Sequence, residues 1–283
     1  MRDSTLAVFA ILKDEGHIIR EWINHYIAEG VDHFHLIDNG SSDDFLEQIS
    51  DYRERVFVYH DCVPHRQREH YNNYFLPVVN QYDWCLCCDL DEFMYARNGY
   101  RTIKEVLSSV EGDVGCISVP WKMFGSSGHI KQPASATSSF TKRANHDNRT
   151  HGMIEHGMIL CKSIFRGGSV SRFDVHSHLA NGRALDSRLR GLISHQDNRF
   201  VQVSEDLLNQ SFLHLNHYAI QSYHWFMSVK STRGDVLGSG ADEVRNSQYF
   251  SEYDYAEVVD CELADKHRTR YGLAEKPVHL TPP

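Results

Sequence analysis

Apolar positions in the first ninety residues come as short continuous runs separated by amphipathic stretches. Residues 6–12 are unbroken apolar, the pattern of a parallel strand buried on both faces. Over 18–29, Ile18, Ile19, Trp22, Ile23, Tyr26 and Ile27 recur at helical spacing, which predicts an amphipathic helix, and Gly30 suits its C-terminal stop. Residues 33–37 read as a second strand, and the polar turn 38–43 leads into a helix over 45–52. A third strand follows at 56–59. A helix over 67–81 turns Tyr71, Tyr74, Phe75, Val78 and Val79 inward, and a fourth strand runs from Trp84 to Asp89. This βαβαβαβ order predicts an α/β fold: a mostly parallel sheet flanked by helices.

The second half has weaker periodicity. Residues 115–120 read as a strand, 121–129 as an aromatic, glycine-rich loop, and 131–153 as a polar loop or flap. Residues 157–161 and 162–166 suggest another strand, 177–198 show no clear pattern, and helices are expected over 219–230 and 260–271. No repeat and no Gly- or Pro-rich linker divides the chain, so a single domain over 1–283 is expected.

In parallel sheets of this kind, ligands bind beyond the carboxyl ends of the strands. Here those ends carry Lys13-Asp14-Glu15, Asp38-Asn39-Gly40-Ser41 and Asp89-Leu90-Asp91. Asp89 and Asp91 stand at i and i+2, which on extended backbone points both carboxylates to one side. Like charges so close repel unless a cation lies between them, and Mg²⁺ or Mn²⁺ suits oxygen ligands. The competing reading is an acidic strand end that caps a neighbouring helix or faces water. A metal held there fits a diphosphate ligand. Asp38 is either a contact to a base or ribose or an ordinary helix cap. Glu15 is either a sugar contact or a solvated turn residue.

Composition narrows the partners. Net charge is −9, from 29 Lys and Arg against 38 Asp and Glu, so broad nucleic-acid binding is not expected. A polyanionic ligand then needs local cations, a metal, or both. The chain is 41% hydrophobic, and no apolar run approaches the ~20 residues of a membrane span. Nor does the N-terminus carry the basic-then-apolar order of a signal peptide. The seven cysteines form no paired CxxC set, which argues for reduced, small apolar residues and a cytoplasmic location, with peripheral membrane association left open. The 19 histidines are mostly expected at the surface or hydrogen-bonded.

These residues resemble a known family. Asp38-Asn39-Gly40-Ser41-Ser42-Asp43 is similar to the aspartate-rich turn of GT-A glycosyltransferases, especially family 2, and Asp89-Leu90-Asp91 to their DxD motif. The fuller series is closer to glycosyltransferase family 92 and its bacterial relatives. It comprises Lys13-Asp14-Glu15, Glu21-Trp22, His25-Tyr26, Asp83-Trp84 and Asp89 to Phe93, then Trp121 to Gly125, Lys162 to Arg166, His176, and Asn216-His217-Tyr218 with Ser222, Phe226, Lys230, Arg233 and Gly234. The resemblance covers residues 6 to about 235. It implies one GT-A domain, with a nucleotide-sugar half over about 1–130 and an acceptor half with C-terminal helices over about 131–283.

It also implies a UDP-sugar donor, galactose in particular, a divalent metal, Mn²⁺ or Mg²⁺, and transfer to a glycan or glycoconjugate acceptor with inversion. Lys13, Glu15, Asp38, Gln67, Asp89, Leu90, Lys162, Arg166, Lys230 and Arg233 are then donor-side residues. Asp89, Asp91, His217 and His176 are metal candidates, with Asp91 and His217 preferred. Trp121, Phe124 and Gly125 are acceptor candidates, Trp121 being alternatively a core residue. Inversion requires a general base at the acceptor hydroxyl; Asp186 is the first choice, then Asp174 and Glu155. The basic pairs Lys162/Arg166 and Lys230/Arg233 are alternatively solvated edges. Two other functions share an α/β crevice: a metal-dependent nucleotidyltransferase, disfavoured because Lys13-Asp14-Glu15-Gly16-His17 is too acidic for a phosphate loop, and a non-catalytic carbohydrate-binding protein.

Overall fold

Four parallel strands carry the first ninety residues: β1 (Leu6–Leu12), β2 (His33–Asp38), β3 (Val56–His60) and β4 (Trp84–Cys87), joined by helices α1 (Gly16–Ala28), α2 (Phe45–Gln48) and α3 (Gln67–Tyr74). The structure, a computed structural model, describes residues 4–147, 153–155, 157–176, 178–192, 200–233 and 245–271. After β4 come β5 (Glu92–Ala96), α4 (Ile103–Ser108) and the long β6 (Val114–Met123). The remaining strands are β7 (Lys142–Arg143), β8 (Ile154–Glu155), β9 (Met158–Arg166), β10 (Val170–Arg172), β11 (Leu179–Ala180), β12 (Arg183–Asp186), β13 (Phe200–Gln202), β14 (Leu213–His217) and β15 (Val258–Val259).

The main sheet runs β3-β2-β1-β4-β9-β6-β14-β5, with β12 beside β6 and β8 and β13 beside β9. β1 pairs in parallel with both β2 and β4, and β2 with β3. The sheet turns mixed at β9, which is antiparallel to β4 and β6. This is the layered α/β architecture that the sequence leads one to expect. Successive β1 side chains enter opposite layers, as a two-residue period demands. Leu6, Val8 and Ala10 pack with Ile19, Trp22 and Ile23 of α1, while Ala7 and Phe9 pack with Tyr71, Phe75 and Val79. Among the described residues no helix is long and apolar enough to cross a membrane.

Several elements differ from the sequence reading. α3 stops at Tyr74 because Pro77 supplies no N–H to continue it; a 3-10 turn (Val79–Gln81) still buries Val79. The late helix is only Tyr223–Ser228, started by the Ser222 hydroxyl, which accepts from Trp225 N. Trp121 and Met123 belong to β6 rather than to a loop. Of the strands that the sequence pattern does not announce, β5 and β14 bear most on the site. Both are short and buried, with Glu92 in β5 and His214, Asn216 and His217 in β14, and they pair antiparallel with His217 opposite Glu92.

Candidate active site

The carboxyl ends of β1, β2 and β4 open on one crevice of about 430 Å³. Its wall includes Lys13, Glu15, Asn39, Gln67, Asp89, Asp91, Trp121, His176, His217, Lys230 and Arg233. The acidic turn at its floor is held from α1. The Trp22 indole donates to the carbonyls of Asp89 and Glu92, both at 3.1 Å, and the Tyr26 hydroxyl donates to the Glu92 carbonyl at 3.1 Å and accepts from Met94 N at 2.9 Å. His25 Nε2 lies 2.6 Å from the Met94 carbonyl. Trp22, His25 and Tyr26 thus support the turn and the strand after it rather than line the crevice, while Glu21 accepts from Ser135, Ala136 and Thr137 instead. Leu90, between the two aspartates, points into the core.

Three carboxylates gather at this turn with two lysines. Lys162 Nζ, completely buried, is 2.9 Å from Asp89 Oδ2 and 3.6 Å from Glu92 Oε2. Lys230 Nζ is 2.5 Å from Asp91 Oδ2, and His217 Nε2 is 3.5 Å from Asp91 Oδ1. Burial works to raise the Asp91 carboxyl, but the Lys230 ammonium and His217 outweigh it and hold it well below the usual range. Glu92 is the reverse: complete burial pushes it well above the ordinary carboxylate range, and Lys162 opposes this only in part. Burial would lower Lys162, yet Asp89 and Glu92 raise it, so it stays an ammonium. Burial also lowers His217, favouring the neutral ring that a metal requires.

Side-chain ligand atoms of Asp91, Glu92 and His217 all lie within 4.8 Å of one another. Glu92 Oε1 and His217 Nδ1 are buried without a hydrogen-bond partner, and buried polar atoms left in that state are costly. Mixed oxygen and imidazole donors suit Mn²⁺ well, so these residues fit a divalent cation. Glu92 was outside the metal candidates of the sequence. Only the return of β14 against β5 brings it opposite His217. His176 also lines the crevice, edge-on to Trp121 with ring centroids 5.4 Å apart.

The donor-side candidates divide. Lys13, Glu15, Gln67, Asp89, Lys230 and Arg233 line the crevice. Glu15 is buried, meets Arg233 Nη1 at 3.0 Å, and is pushed up to about 7 by burial against the pull of that guanidinium. Asp38 folds into its own turn, accepting from Ser41 N at 2.7 Å and from His60 Nδ1 at 3.0 Å, and its neighbour Asn39 reaches the wall instead. Arg166 must be corrected. The antiparallel register sets it opposite Trp84, at the start of β4, about 13 Å along the strand from Lys162. There it stacks over the Trp84 ring at 4.2 Å and donates to the carbonyl of Val114.

On the acceptor side, Trp121 lines the crevice, with its ring centroid 4.2 Å from that of His217 and its indole Nε1 without a hydrogen-bond partner. Phe124 and Gly125 are corrected to structural roles. Phe124 is buried against Tyr218, and a Cβ on Gly125 would stand 2.3 Å from the Tyr255 carbonyl oxygen. Asp186 is also corrected. β12 aligns it with Ser118, halfway along β6, where Arg188 Nη2 holds it at 2.6 Å beside a second, separate cavity. Asp174 pairs with Arg68 at 3.1 Å, next to Val175 and His176 of the wall. Glu155 is in β8; its side chain lies outside the described residues, as does Gly234. Residues the sequence did not single out, among them His65, Arg66, Arg245, Tyr249 and Tyr253, complete the wall; basic and aromatic side chains converging on one cavity are visible only in three dimensions.

Residues 10–238 match the family described as Glycosyltransferase family 92. A glycosyltransferase family 92 protein of Oryza sativa subsp. japonica is 27% identical over 145 residues, which is 49% of this chain and 25% of that protein. The match thus spans about a quarter of the curated relative. Among solved structures, S. aureus TarS 1–349 in complex with UDP is 15% identical at a TM-score of 0.37, covering 58% of this chain and 47% of that one. Glucosyl-3-phosphoglycerate synthase from Mycobacterium tuberculosis, in complex with Mn²⁺, UDP and glucosyl-3-phosphoglycerate, is 11% identical at a TM-score of 0.31, covering 58% and 57%.

Proposed function

The chain belongs to glycosyltransferase family 92, and from that premise we propose that its crevice transfers a sugar from a nucleoside diphosphate, UDP by family expectation, to a glycan acceptor with inversion and with a divalent metal. The observation that carries this reading is the buried set Asp91, Glu92 and His217 at the strand-end edge, with orphaned Glu92 Oε1 and His217 Nδ1 among them. Asp91, Glu92 and His217 would hold the metal, with Asp89 beside them. Bound there, Mn²⁺ or Mg²⁺ supplies charge neutralisation to the leaving diphosphate.

The protein's own residues do the rest. Lys13, Lys230 and Arg233 line the same crevice and give an acidic chain the local positive charge that a polyanion needs. The Asn39 and Gln67 side of the wall suits the nucleoside, whose base accepts and donates hydrogen bonds. Trp121, largely buried beside His217, borders the same wall and is the aromatic residue we retain for the acceptor side. Asp174, adjoining the wall through Val175 and His176, is the carboxylate we retain for acceptor activation; attack of the deprotonated hydroxyl opposite the leaving diphosphate inverts the anomeric carbon. Turnover of UDP-galactose and UDP-glucose, followed by UDP release with and without EDTA, tests the reading. Turnover that vanishes on chelation and returns with Mn²⁺ supports it; pyrophosphate release from a nucleoside triphosphate instead supports a nucleotidyltransferase and contradicts it.

A further inference from the structure

Charge in the crevice is balanced by one short segment. The helix Tyr223–Ser228 is followed by a single turn, Lys230–Thr232. From that turn Lys230 reaches Asp91 Oδ2 at 2.5 Å, and Arg233 just after it reaches Glu15 Oε1 at 3.0 Å. All four side chains are largely buried. The carboxylate best placed to bind a metal is therefore already engaged by an ammonium.

The two buried lysines differ in kind. Lys162 rises from β9, is wholly enclosed, and does not line the crevice. Lys230 comes from a one-turn segment and does line it. A divalent ion at Asp91 would face the Lys230 ammonium across one carboxylate, and like charges so close repel strongly away from water. A diphosphate without metal would add negative charge beside Asp89, Asp91 and Glu92. Only the two together leave the site near neutral, with the lysine moved onto phosphate oxygen.

We propose that Lys230 is an exchangeable counter-ion, which occupies Asp91 in the free protein and moves to the diphosphate as the metal takes its place. This rests on the metal and nucleotide reading above and adds its regulation: metal and nucleotide bind cooperatively because each relieves the charge that opposes the other. Such coupling is reciprocal.

Free Mn²⁺ measured by electron paramagnetic resonance, with and without saturating UDP, tests it without any turnover. In the wild-type chain Mn²⁺ binds weakly alone and on the order of tenfold or more tighter with UDP. In Lys230→Met the affinity for Mn²⁺ alone rises by about the same factor, UDP binds more weakly, and the coupling falls toward one. Lys230→Gln serves as a second variant should the first not fold, and Lys230→Arg keeps the coupling. Wild-type coupling with unchanged Mn²⁺ affinity in the folded Met and Gln variants overturns the exchange alone. No Mn²⁺ uptake by the wild type even with UDP overturns both the exchange and the functional reading.

Discussion

Asp91 carries more of the site's chemistry than any other side chain, since it touches Lys230 and His217 at once. Asp91→Asn preserves its shape while removing the charge. Turnover should fall at least about 100-fold, the equivalent of a few kcal/mol of lost charge stabilisation, with circular dichroism unchanged; full activity in the folded variant would remove Asp91 from the metal set. Gly125 makes the opposite case. A methyl group there would overlap the Tyr255 backbone, so Gly125→Ala should cost about 1–3 kcal/mol in urea unfolding and leave the acceptor KM unchanged. Asp89, Asp91 and His217 could be read from the sequence because they are charged or metal-binding types at strand ends or in a family motif. Arg166 and Asp186 were candidates on residue type and placement, but which end of a strand a residue occupies depends on its partner's direction. β9 runs antiparallel to β4, and β12 meets β6 halfway.

Among the elements, the first four strands were legible because each is a short, largely apolar run closed by a polar turn. β5 and β14 were not: Glu92, His214, Asn216 and His217 break their apolar pattern, yet all are buried. His214 tolerates burial because a partner comes from afar, Glu262 Oε2 at 3.2 Å from its Nδ1, whereas Glu92 Oε1 and His217 Nδ1 stay unpaired at the candidate metal site. The same device fastens the C-terminal segment to β6. Lys122 Nζ, 1% exposed, meets Asp260 Oδ2 at 2.7 Å, and Asp260 also accepts from Arg143 Nε at 2.7 Å. Removing Asp260 takes the nearer carboxylate from buried Lys122, leaving it Glu262 at 3.8 Å, and one of two carboxylates from Arg143, which keeps Glu205 at 2.7 Å. Asp260→Ala should therefore cost about 3–5 kcal/mol in chemical denaturation, whereas Lys122→Met in the same background should recover part of that loss; a neutral Asp260→Ala would show that the network contributes nothing.

Across the whole molecule, buried histidines set the acid limit. Burial pushes His25 and His178 down to about 3 and His214 down to about 4, against an ordinary value of 6.5. Below pH 6.5 the unfolded chain takes up protons that the folded chain refuses, so their stabilisation is complete above pH 6.5 and drains as pH falls toward 4. These three alone contribute up to about 4 kcal/mol per pH unit to that slope, and His267, pushed down to about 3, and His35, down to about 4, add to it. Urea unfolding between pH 7 and 4.5 measures that slope, and His214→Gln should reduce it by up to about 1.4 kcal/mol per pH unit; a flat profile would mean these rings are already protonated in the fold.

The overall layout, a parallel half whose strand ends face one crevice, was legible because hydrophobic runs and turns alone dictate it. Closure of that crevice by Lys230, Arg233, Arg245 and Tyr249 was not, since it depends on how distant segments return. The proposed chemistry needs a divalent ion at the end of β4. Crystals grown with Mn²⁺ and UDP, with anomalous data collected at the manganese edge, should place one peak among Asp91, Glu92 and His217, next to the diphosphate. A manganese peak elsewhere, or UDP bound with no metal beside these residues, would contradict it.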